Sequence, residues 1–91
     1  MDFFTLQDYL GELAHTALAD DPTNPPSHVF LYVYYNSYFV AVTTSDGFSS
    51  WQHVNQYPMP EDEAQQWYDD LSSGKKTFTD FVFAVPGYEV V

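Results

Sequence analysis

Glu12 and His15 place a carboxylate and an imidazole one turn apart on a helical reading, close enough to pass a proton between them. That is the pair a general acid–base step needs. His28 and His53 offer two more imidazoles in other segments. Nothing completes the chemistry. There is no cysteine for a thiolate, and no His-x-x-x-His pair, calcium-loop spacing or Gly-rich phosphate cradle. With neither a nucleophile nor an oxyanion donor beside Glu12 and His15, the pair reads as solvated surface. The expectation is a protein that is not an enzyme and uses no cofactor and no metal.

The other chemistry is electrostatic. Thirteen Asp and Glu stand against Lys75 and Lys76, the only basic side chains, for a formal charge of −11 on 91 residues. Such a field repels nucleic acid and anionic membrane and draws in surfaces rich in Lys and Arg. On a helix, carboxylates four residues apart lie roughly 6 Å from each other. That is close to two phosphate steps of about 3.4 Å each along one DNA strand, so an acidic helix face can imitate a phosphate backbone. Asp8, Glu12, Asp20, Asp21, Asp62, Asp69 and Asp70 are therefore the expected electrostatic contacts. Tyrosine gives a large rigid contact with a polar tip, which makes Tyr32 and Tyr34 the expected anchors. The expected partner is a basic protein surface, met by a monomer or homodimer, with no direct nucleic-acid contact and no membrane contact.

Elements must position these groups. A 45% apolar composition with eight Phe, eight Tyr and two Trp is enough for one folded domain over residues 1–91. Thr5-Leu6-Gln7-Asp8 has the form of a capping box. Leu6, Tyr9, Leu10, Leu13, Ala14, Ala17 and Leu18 recur at helical steps, predicting a helix that ends before Pro22. Residues 28–35 and 38–44 are branched and aromatic runs separated by Asn36-Ser37, the pattern of a hairpin. Its alternation sets Val29, Leu31 and Val33 against Phe30, Tyr32 and Tyr34 on opposite faces. Residues 48–54 suggest a weaker strand after the Asp46-Gly47 turn. Glu61-Asp62-Glu63 begins a second helix with Ala64, Trp67, Tyr68 and Leu71 inward, Asp62, Asp69 and Asp70 outward, and Gly74 as its stop. Residues 77–85 read as a final strand, followed by a tail or edge extension at 88–91. The expected fold is α+β: an antiparallel sheet of three to four strands with two helices on one face, in the order α-β-β-(β)-α-β.

Small size, acidity, absence of cysteine and a mixed helix-and-strand pattern together resemble a class of proteins encoded by phages and mobile elements. Anti-CRISPR proteins and other DNA mimics belong to it. The resemblance spans the whole chain and rests on no diagnostic motif. It implies stoichiometric binding to a basic nucleic-acid channel, such as that of a CRISPR-Cas effector subunit. Immunity proteins that block nuclease toxins share the size and charge, although the barstar type has a parallel order unlike the hairpin-first pattern here. A self-associating virion or assembly protein is the third alternative. The first residues lack a positive signal region, and no apolar run approaches the roughly 20 residues that span a bilayer. A cytoplasmic location in a bacterial host cell is the corresponding expectation.

Overall fold

A computed structural model describes residues 11–22, 24, 26–45 and 50–90, the side chains of 45, 50–52 and 88–90 excepted. The expected capping box at Thr5–Asp8, and Asp8 itself, lie outside the described residues, as does the Asp46-Gly47 turn. The elements are β1 (Glu12–Ala19), β2 (Ser27–Tyr34), β3 (Ser37–Ser45), β4 (Ser50–Asn55), α1 (Glu61–Ser73), α2 (Phe78–Ala84) and β5 (Gly87–Val90). All five strands join one antiparallel sheet in the order of the chain, β1-β2-β3-β4-β5. The α+β class stands, with an antiparallel sheet and, among the described residues, two helices. Its element order differs from the expected one at both ends.

The first difference is at Glu12–Ala19, which is a strand where a helix was expected. Gly11 breaks the helical course with φ 93°, and a Cβ there would come within 2.4 Å of the Val33 carbonyl oxygen. From that point the chain pairs with β2, from Glu12↔Val33 to Ala19↔Ser27. The ladder outweighs a local periodicity, because propensity is a weak prior against tertiary pairing. A register shift between Leu13 and His15 keeps Ala17 and Ala19 on the core side opposite Val29 and Ser27. Leu13 and Leu18, members of the supposed helical stripe, are 49% and 66% exposed.

The second difference is at Phe78–Ala84, a helix where a strand was expected. Thr77 and Asp80 make a capping box, with the Asp80 amide donating to Thr77 Oγ1 at 3.2 Å and the Thr77 amide to Asp80 Oδ2 at 2.9 Å. Phe78, Phe81 and Val85 are buried, a spacing of three and four rather than two. The tail at Gly87–Val90 then closes the sheet against β4.

The remaining elements follow the sequence pattern. The β2–β3 hairpin turns through Tyr35 and Asn36, with φ of 46° and 61°, between the paired residues Tyr34 and Ser37. Positive φ at both central residues is the type I′ geometry that suits the twist of a two-residue hairpin. Helix α1 ends at Gly74 with φ 82°, where any Cβ would meet the Asp20 carbonyl oxygen at 2.4 Å. Both helices cover one face of the sheet. Val29, Leu31, Val40 and Val42 pack there with Met59, Ala64, Leu71, Phe78, Phe81 and Val85. On the opposite face Tyr32, Phe39, Ala41 and Val54 form a second buried cluster, with Phe30 at its margin.

Candidate partner-binding surface

Among the described residues, helix α1 carries four of the seven exposed carboxylates, Glu61, Asp62, Glu63 and Asp69. Glu61, Asp62 and Glu63 occupy its first turn, where the unsatisfied amides and the helix dipole favour anions. Asp62 and Asp69 are exposed, and Gln65 Nε2 donates to Asp69 Oδ1 at 3.1 Å. Asp70 corrects the expected pattern. It is only 8% exposed, and Gln66 Nε2 donates to its Oδ1 at 2.8 Å. The seven-residue step from Asp62 returns to the same face at Asp69, one position short of Asp70, whose side chain is held by Gln66.

Asp62, Glu63, Gln66, Trp67, Asp70 and Lys76 line an open hollow of about 440 Å³. The Lys76 ammonium lies 5.7 Å from the centre of the Trp67 ring, within reach of its negative face. One of the two lysines is thus drawn into the acidic surface. Lys75 is exposed at the same end of α1.

The Asp20-Asp21 loop divides into two roles. Asp20 is exposed, whereas Asp21 Oδ2 accepts from Asn24 Nδ2 at 2.7 Å and from the Phe78 amide at 2.9 Å. Asp21 therefore helps satisfy the first amides of α2 and is only partly a surface charge. Glu12 is exposed at the start of β1. His15 sits opposite Leu31 in the β1–β2 ladder, and its ring centre is 5.7 Å from that of Tyr68. Glu12 and His15 do not share a helix turn, so the spacing that suggested proton transfer does not exist in the folded chain.

The two tyrosines expected as anchors also separate. Tyr32 is 2% exposed and stacked against Phe30 with ring centres 6.1 Å apart, which withdraws it from any contact surface. Burial raises its hydroxyl pKa above the ordinary tyrosine value. Tyr34 remains 46% exposed and meets Tyr35 edge to face at 4.6 Å. Tyr35 and Tyr57 are 84% and 66% exposed. Neither was an expected anchor. The signal lay in their position beside turn formers, Asn36 and Pro58, rather than within a strand.

Two buried polar side chains are structural. Asn55 Oδ1 accepts from the Val40 amide at 2.8 Å, and its Nδ2 donates to the carbonyls of Tyr57 at 2.6 Å and Tyr38 at 3.3 Å. His53 is 3% exposed. Its Nε2 donates to the Val85 carbonyl at 2.8 Å, since that oxygen only accepts, while Nδ1 is buried with no hydrogen-bond partner. The ring stands edge-on to Phe81. This imidazole ties β4 to the end of α2 and is shut away from substrate.

No family model matches the chain, and no curated protein or solved structure matches it. Among the described residues no group of three His, Asp or Glu gathers as metal ligands, and no helix is long and apolar enough to cross a membrane.

Proposed function

We propose that this protein is a non-enzymatic inhibitor that binds the basic surface of a nucleic-acid-handling protein. The specific reading is a phage anti-CRISPR protein that blocks a CRISPR-Cas effector in the bacterial cytoplasm, by occlusion or DNA mimicry. One observation carries it: Glu12, Asp20, Glu61, Asp62, Glu63 and Asp69 are exposed on a chain whose only basic side chains are Lys75 and Lys76. Asp62 and Asp69 lie two helical turns apart, a rise of about 10 Å. Three phosphate steps of about 3.4 Å on one DNA strand cover the same distance. Complementary charge of this kind speeds association and fixes orientation, while a few aromatic anchors hold the complex.

The test is to titrate the purified chain into DNA-cleavage reactions of purified CRISPR-Cas effectors and of nuclease toxins. Stoichiometric inhibition of an effector supports the proposal. The double variant Asp62→Asn/Asp69→Asn should then bind about tenfold more weakly, roughly 1.4 kcal/mol, with its thermal midpoint unchanged because exposed charges contribute little to stability. Equal affinity would remove α1 from the interface. Inhibition of a nuclease toxin alone would make the chain an immunity protein. No inhibition, together with a large oligomer in light scattering, would make it an assembly component.

A further inference from the structure

The hollow on α1 brings together groups that suit one kind of ligand. Among its lining residues, Asp62, Gln66 and Asp70 form one row of four-residue steps along the helix, and Glu63 and Trp67 form the row beside it. Glu63, four residues before Trp67, and Asp70, three after it, are the neighbours of that ring on the helix surface, at roughly 5–6 Å between Cβ atoms. Trp67 is half-buried and Asp70 is buried, whereas Asp62, Glu63 and Gln66 are exposed. The chain already seats a cation there. The Lys76 backbone amide donates to the Asp70 carbonyl at 3.0 Å, which folds residue 76 back onto the end of α1, and its ammonium lies 5.7 Å from the centre of the Trp67 ring. Three carboxylates line the same hollow, yet among the described residues none of them makes an ion pair with Lys76.

From this arrangement we infer that the hollow beside Trp67 receives an arginine side chain of the partner protein, whose guanidinium stacks on the ring in place of Lys76 while its edge pairs with Glu63 and Asp70. The inference rests on the proposal above that the partner is basic, and it names the residue type that the partner presents and the place that takes it. A guanidinium is flat, weakly hydrated and forked, so it can stack and pair at once. An ammonium is a compact, strongly hydrated point charge that gains less from the ring, which makes Lys76 a weak occupant. A methylated ammonium calls for a cage of several rings, and Trp67 is the one ring lining this hollow. A nucleic-acid base would also stack on Trp67, but its phosphate would meet Asp62, Glu63 and Asp70.

The experiment titrates the full chain with two peptides of equal length and charge, one of Arg-Gly repeats and one of Lys-Gly repeats, at about 0.15 M salt, where exposed charges more than about 8 Å apart are largely screened. Amide shifts locate the site and calorimetry gives the affinities. The expected result is a set of shifts centred on residues 62–70 and 76, with the arginine peptide bound about tenfold more tightly than the lysine peptide. Lys76→Gln frees the ring and should raise arginine-peptide affinity about threefold. Lys75→Gln makes the same change of charge outside the hollow and should leave that affinity unchanged. Trp67→Leu should abolish the preference for arginine. Because Trp67 also packs edge-on against Phe81, the gain in Lys76→Gln is the readout that a loosened fold cannot imitate. Equal affinity for the two peptides, shifts centred away from α1, or no gain in Lys76→Gln overturns the inference and leaves the basic-partner proposal standing. Binding of neither peptide also overturns it, and the inhibition assay above then decides the wider proposal by itself.

Discussion

Asn55 shows how much one side chain can hold in a small domain. Strand β4 ends there, and in place of another backbone rung its side chain accepts from Val40 and donates to Tyr38 and Tyr57. Asn55→Ala strands a buried amide and two carbonyls, so unfolding in urea should show a loss of about 3 kcal/mol. A loss below about 1 kcal/mol would mean that the freed groups find water. Tyr32 makes a different residue-scale prediction. Burial raises its pKa above 10.0 in the folded chain, so the native state holds that proton more tightly than the unfolded state. Its contribution is fully present below about pH 10 and is lost as pH rises through the folded value. Tyr32→Phe should therefore lessen the fall in stability above about pH 10. Tyr38, raised chiefly by burial and also by Glu61, should account for part of what remains. An unchanged slope in the Tyr32 variant would show that its ionisation does not limit the fold.

At the scale of elements, Asp21 and Asp20 should behave differently although they are adjacent acids. Asp21→Ala removes the acceptor from the Phe78 amide and Asn24 and should cost about 1 kcal/mol, in the range of a lost helix cap. Asp20→Ala should stay within about 0.5 kcal/mol. Chemical denaturation of the two variants makes the comparison, and equal losses would refute a capping role for Asp21. These residues also show what was legible in the sequence. The β2–β3 hairpin, β4 and α1 were readable because alternation, turn residues and a Gly74 stop agreed at every level. The β1 segment misled because Leu13, Ala17 and Leu18 fit a helical step by coincidence, whereas its course is set by pairing with β2, which no local window contains. The α2 segment was legible in principle. Thr77 and Asp80 form the same kind of box that was recognised at Thr5 and Asp8, but the dense Phe and Val content suggested a strand. Of the residues expected to make contacts, Asp62, Asp69 and Tyr34 are exposed, as their pattern predicted. Asp70, Asp21 and Tyr32 could be reassigned only once packing was visible.

For the whole molecule, the charge excess is a standing cost. Thirteen acids against two lysines repel one another over distances that low salt leaves unscreened, with a Debye length of about 30 Å at 0.01 M and about 10 Å at 0.1 M. Raising sodium chloride across that range should increase stability by about 1 kcal/mol and move the thermal midpoint up by roughly 5 °C. A falling midpoint would mean that attractive pairs outweigh the repulsion. The strand order carries a kinetic consequence. Because β1 to β4 lie in the sheet as they do in the chain, their contacts close over short loops at small entropic cost, and hairpins of this kind form in about 1–10 μs. Strand β5 alone must wait for the whole α1–α2 crossover before it can reach β4. The barrier to folding therefore lies in that one long closure, and the free edge of β4 is the surface left open to mispairing until it is complete.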